Sequence, residues 1–270
     1  MSRLTATFTA LKAEQKTALI PFITAGDPQP YVTVGLMHDM VDSGANILEL
    51  GIPFSDPMAE GPVIQAACER ALEHNVSLTD VLGMVKEFRS RDADTPIVLM
   101  GYLNPVEVMG YQRFADAAAD VGVDGLILVD LPPEEGEELI RILKEKQIDP
   151  IFLLAPTSTD ARMQMICDQA SGFVYYVSLK GVTGAANLDV DAVVQKVNQI
   201  RTHTSVPVGV GFGIRDAESA AKVAAVADAV VVGSAVVNRV AENADNPQKI
   251  SQQVCELLSS MRQAMDKNAK

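Results

Sequence analysis

Short runs of consecutive apolar residues, many of them β-branched, recur along this chain, and each is followed by a stretch with helical spacing. The runs are ALIPFIT (18–24), NILE (46–49), IVLM (97–100), GLILV (125–129), IFLL (151–154), FVYYV (173–177), VPVGV (206–210) and AVVV (229–232). Unbroken apolar runs of this length suit strands buried on both faces, which occur in parallel sheets covered by helices. Eight strand–helix units within 270 residues favour a closed (β/α)8 barrel, with an open doubly wound sheet as the second choice. An amphipathic helix over about Arg3–Gln15 precedes the first strand. No linker interrupts the series, so one domain is expected across residues 1–270.

In such a barrel, chemistry collects at the C-terminal ends of the strands. The most informative loop there is ELGIPFSDPMAEGP, Glu49 to Pro62. A strand is expected to end at Glu49. A stiff segment carrying Asp56 and Glu60 follows, and a helix starts at Pro62. A carboxylate at the tip of a buried strand is costly to desolvate, so its pKa should rise, which suits a proton shuttle. A strand-end glutamate held by an arginine or by backbone N–H groups fits the same position.

Gly211-Phe212-Gly213 follows the seventh run, and Gly233-Ser234-Ala235 follows the eighth. Glycines there let backbone N–H groups approach an anion at the start of a helix, which reads as a phosphate site. A plain turn is the competing reading. The loop SLKGVTGAANL after the sixth run has the make-up of a lid, whose closure would bring the Thr183 hydroxyl and the Gly184 N–H inward. A passive long loop is the alternative. Phe22, Met100, Ile127, Tyr175 and Phe212 are apolar residues at strand tips, where they could clamp a flat aromatic molecule or simply pack the core.

A formal charge of −13 argues against nucleic-acid or anionic-membrane partners. Cys68, Cys167 and Cys255 are scattered, which fits a reducing cytoplasm, and no His/Cys/Asp set has metal spacing. The N-terminal stretch lacks the apolar core of a signal peptide, and no apolar run is long enough to span a bilayer. His38, His74 and His203 fall away from the strand tips and read as structural or surface residues.

ELGIPFSDPMAEGP, SLKGVTG, GFG and GSA, in that order on eight units, closely resemble the tryptophan synthase alpha chain family over essentially the whole length. The resemblance implies a TIM barrel with an extra N-terminal helix. It implies a lyase that splits indole-3-glycerol phosphate into indole and D-glyceraldehyde 3-phosphate, with no cofactor in this chain. The indole would pass to a pyridoxal-phosphate beta chain for condensation with serine, in an alpha2beta2 heterotetramer. Glu49 matches the family's catalytic glutamate. Glu60 matches its second acid, usually Asp, with one more methylene and about 1.5 Å more reach. Asp56 would hold the loop through backbone N–H groups, and Lys180 in the lid takes no role. Phe22, Tyr175 and Phe212 match indole-pocket positions, where Met100 and Ile127 replace Leu. The loops after the second and sixth strands, with Asn104-Pro105, would face the partner. A stand-alone lyase, another sugar-phosphate barrel enzyme and a non-catalytic subunit are the alternatives.

Overall fold

The computed structural model describes residues 2–178, 190–211 and 213–267. The sheet is parallel throughout. Strand β1 (Ala18–Thr24) lies at its middle, flanked by β2 (Leu48–Gly51), β3 (Ile97–Gly101) and β4 (Gly125–Leu128) on one side. On the other side stand β9 (Ala229–Val232), β8 (Val208–Gly211) and β7 (Val174–Val177). The fifth apolar run forms two short pieces, β5 (Asp149–Pro150) on β4 and β6 (Leu153–Leu154) on β7. Ile151 donates its N–H to Leu126 at 2.9 Å, while the Phe152 carbonyl accepts from Tyr175 at 2.9 Å. One segment thus bonds to both edges and closes the ring. Its split reflects Pro150, which cannot donate to a ladder.

Both faces of the strands are buried, yet they divide by parity. Ala18, Ile20, Ile47, Val98, Ile127, Phe173 and Val231 point into the barrel. Leu19, Ile23, Leu48, Leu50, Leu99 and Val230 point outward to the helices. This two-residue alternation survives without polar residues because each face has its own apolar partner.

The helix ahead of the first strand is α1 (Arg3–Ala13), capped by the Ser2 side chain, which accepts from Thr5 N–H. Its Leu4, Phe8 and Leu11 join the interior cluster, and Phe8 meets Phe173 at 6.0 Å between ring centroids. The helix therefore closes the N-terminal end of the barrel. Truncating such a buried residue to Ala costs about 2–5 kcal/mol. Asp124, immediately before β4, locks this end. Its carboxylate accepts from Arg3 at 2.9 Å, from Arg89 at 2.7 Å and from Ile97 N–H at 2.8 Å.

Helices α2 (Pro30–Asp42), α3 (Pro62–Leu72) and α4 (Leu78–Arg89) follow β1 and β2, and α5 (Leu103–Met109) and α6 (Tyr111–Val121) follow β3. The α5–α6 break falls at Gly110, whose φ of +87° favours glycine. The remaining helices are α7 (Glu137–Glu145), α8 (Asp160–Gln169), α9 (Val190–Arg201), α10 (Ala217–Ala224), α11 (Ser234–Glu242) and α12 (Pro247–Lys267). No helix among the described residues is long and apolar enough to cross a membrane. Among the strand boundaries that differ from those read in the sequence, two have a clear local cause. β2 continues past Glu49 to Gly51, because Gly51 still accepts from Ala25 N–H at 2.9 Å. β8 runs Val208–Gly211, since the Pro207 nitrogen cannot join the ladder.

Candidate active site

Glu49 sits inside β2, opposite Phe22 on β1 and Val98 on β3. Alternation turns it into the barrel, toward the C-terminal mouth. It is 2% exposed, and its Oε2 has no hydrogen-bond partner among the described residues. The arginine or backbone anchor that a structural strand-end glutamate requires is missing there. Burial pushes its pKa up to about 8, helped by the charge of Glu60. Glu60, half-buried in the loop after β2, is pushed up to about 7 by burial. The Tyr175 hydroxyl, deep in β7, is driven well above its usual value by burial and then by Glu49 and Glu60. Glu49, Glu60 and Tyr175 therefore act on one another across a single mouth.

Apolar residues wall this space. Phe22 packs with Ile64, Ala67 and Cys68 of α3 and with Val237 of α11. Met100 touches this group and also the interior cluster that holds Ile127 and Tyr175. Of the five apolar strand-tip residues, four thus form one continuous surface. Ile127 is fully buried. Phe212 lies outside the described residues, as do Thr183 and Gly184.

The glycines at the ends of β8 and β9 have distinct local reasons. A Cβ on Gly211 would collide with the Tyr175 ring and hydroxyl, so glycine makes room for that side chain. The Gly211 carbonyl also accepts from the Ser178 hydroxyl at 2.8 Å. Gly213 has φ +76° and is exposed. Gly233 heads α11, which has no side-chain cap, and Ser234 beside it is exposed. A Cβ at Gly233 would meet no atom within 4 Å, so close packing does not account for this glycine. An uncapped helix start with open space above it can receive an anion. Val237 of the same helix packs in the cluster with Phe22, which ties this end to the carboxylate end.

The loop that carries Glu60 is held differently from the sequence reading. Asp56 is exposed, and its carboxylate accepts from the neighbouring Ser55 hydroxyl at 2.6 Å rather than from backbone N–H groups. Tyr102 and Gln65, which sequence reasoning passed over, bond to the loop backbone instead. Tyr102 directly follows β3, and that strand-tip position was the available signal. Asp27, after β1, is clamped by Arg70 of α3 through two bonds at 2.6 and 2.8 Å. The Thr24 hydroxyl at the tip of β1 is buried without a partner among the described residues.

Among the described residues no group of His, Cys, Asp and Glu could hold a metal ion. The three histidines have partners of their own. His38 stacks on Phe88, His74 meets the Pro28 carbonyl, and His203 meets Asp160 and Gln164. A cleft of about 800 Å³ opens at the N-terminal end beside α1 and is lined by neither Glu49 nor Glu60.

Known proteins agree with this architecture. The family model described as tryptophan synthase alpha chain matches residues 8–266. The tryptophan synthase alpha chain of Thioalkalivibrio sulfidiphilus is 66% identical over 266 residues, covering 98% of this chain and 100% of its own. That of Nitrosococcus oceani is 61% identical, covering 98% of each. The crystal structure of tryptophan synthase subunit alpha from Legionella pneumophila superposes with a TM-score of 0.92 at 48% identity, covering 99% of both chains. A barrel closed by an N-terminal helix, an unbonded buried glutamate in its mouth and these matches along nearly the whole chain lead to one conclusion: the chain belongs to the tryptophan synthase alpha chain family.

Proposed function

We propose that this chain carries out retro-aldol cleavage of indole-3-glycerol phosphate with Glu49 as the proton shuttle and Glu60 as the electrostatic partner. The reaction needs a proton on indole C3, removal of the adjacent glycerol hydroxyl proton, and stabilisation of a cationic ring nitrogen. Glu49, still protonated near neutral pH, gives its proton to C3. Its carboxylate then takes the hydroxyl proton as the C–C bond breaks. The bonding electrons return to the indole ring, the hydroxyl carbon becomes the aldehyde, and Glu49 ends protonated. Glu60 faces the ring N–H as an anion, where its charge lowers the energy of the cationic intermediate. No step draws on a metal or an organic cofactor. The observation that carries this reading is Glu49 itself, a carboxyl buried in the mouth with an unbonded oxygen.

The indole ring lies against Phe22, Met100, Ile127, Tyr175 and Phe212. The phosphate is held by the N–H groups around Gly211, Gly213, Gly233 and Ser234, joined by Phe212 and Gly184 when the lid bearing Thr183 closes. The whole chain, residues 1–270, works as one domain.

The partner is a beta chain that binds pyridoxal phosphate, in an alpha2beta2 assembly. Support comes from three exposed apolar residues on the C-terminal side of consecutive strands. Tyr31 opens α2, Met58 lies in the loop after β2 and Val108 lies in α5, with exposures of 73%, 80% and 81%. Asn104 and Pro105 stand on the same short helix. Free Cys68, Cys167 and Cys255 are consistent with work in the cytoplasm.

The test is indole release from indole-3-glycerol phosphate, with and without a beta chain. Release by the chain alone, accelerated by the beta chain, is the expected result. Release at one unchanged rate with and without the beta chain would favour a stand-alone lyase, and no release would overturn the proposal.

A further inference from the structure

The two mouth carboxylates are supported in different ways. Glu49 is fixed by a strand whose ladders run on both sides. Glu60 sits in an irregular loop, where a carboxylate is located only by what grips the backbone next to it. Two side chains from outside the loop provide that grip. The Tyr102 hydroxyl oxygen accepts from Ala59 N–H at 2.9 Å, and its ring stacks on Phe54 with centroids 5.1 Å apart and an interplanar angle of 27°. Tyr102 is 4% exposed, so this post is firmly embedded. Gln65, in the first turn of α3, donates its Nε2–H to the Glu60 carbonyl at 2.8 Å and reaches the Pro57 carbonyl at 3.4 Å. Glu60 N–H itself bonds to the Pro57 carbonyl at 3.1 Å. The backbone is therefore anchored on both sides of the Glu60 Cα, which leaves mainly the side-chain torsions to set the carboxylate.

We propose that Tyr102 and Gln65 are positioning residues for Glu60, acting as a two-point brace on residues 57–60. This rests on the reading of Glu60 as the second acid. The brace acts on catalysis through distance. A carboxylate stabilises a cationic ring only from a fixed place near it, and a misplacement of about 1 Å can lower a rate by about 10²-fold. Tyr102→Phe keeps the ring stack but removes the acceptor for Ala59 N–H. Gln65→Met keeps the length but removes the donor.

The test measures indole release by the chain together with a beta chain, over a range of pH, for the parent, Tyr102→Phe, Gln65→Met, both together, and Glu60→Ala. Each single variant is expected to lower kcat about tenfold or more while KM moves less than about threefold, because the lost interaction forms mainly in the transition state. The double variant should fall little below the worse single, since both hold one segment. The acid limb of the pH profile should move to lower pH, because a released Glu60 gains water and ionises more readily. Parental kcat and an unmoved acid limb in both single variants would overturn the brace, even if their melting temperatures fell. Parental turnover in Glu60→Ala would instead remove the assignment of Glu60, and absence of indole release by the parent would remove the function itself.

Discussion

Asp124 and Glu49 are both carboxylates buried in the same sheet, 3% and 2% exposed, at opposite ends of the barrel. Asp124, before β4, receives bonds from two arginines and a backbone N–H. Glu49, near the C-terminal end of β2, has an oxygen that receives none. A buried carboxylate needs polar partners; Asp124 has three, whereas at Glu49 burial raises the pKa. The bottom residue ties α1 to the sheet through Arg3. The top residue is built to carry a proton, and the contrast separates stability from chemistry within one fold.

Removing the proton from the top should abolish most of the chemistry. Glu49→Gln is expected to lower indole release by about 10³-fold with substrate binding retained, measured by turnover and by calorimetric titration with indole-3-glycerol phosphate. The matching change at the bottom, Asp124→Asn, should instead cost about 3 kcal/mol of stability by urea unfolding and leave kcat per folded molecule within about twofold. If either variant showed the other's phenotype, the division between the two ends would fail.

Stability should also fall with rising pH through this group in the parent but not in Glu49→Gln. The Glu49 carboxyl ionises at about 4.5 in the unfolded chain and about 8 in the folded one. Unfolding between those values releases a proton, so this group makes the folded chain less stable as pH rises through that window. Glutamine has no proton to release. Glu49→Gln should therefore match the parent near pH 4 and exceed it by about 2 kcal/mol or more above pH 8, read from unfolding at each pH. The smallest effect is expected at Asp56→Asn, which touches an exposed group bonded only to Ser55. Its turnover should stay within about twofold of the parent.

Much of this molecule was legible from its residues. Continuous apolar runs announced strands buried on both faces, and the order of the loops placed Glu49 and the two glycine ends on one rim. The split of the fifth strand follows from Pro150 just ahead of IFLL, but the bonds to β4 and β7 that close the ring are long-range and not encoded locally. Asp56 was misread for a related reason. Its proximity in sequence suggested that it held the loop, whereas Tyr102 and Gln65 reach the loop only through tertiary packing. Gly211 illustrates a third limit. A phosphate contact and room for Tyr175 both call for glycine, and only the coordinates reveal the second.

Glu49 holds its proton into the neutral range because its burial is uncompensated. Side-chain carbon-13 NMR of the parent, labelled at glutamate and assigned with Glu49→Gln, measures this directly. A Glu49 carboxyl resonance that titrates with a midpoint near 8 is the expected result. A midpoint near the ordinary value of 4.5 would contradict the account, because such a residue would be an anion at neutral pH with no proton to give.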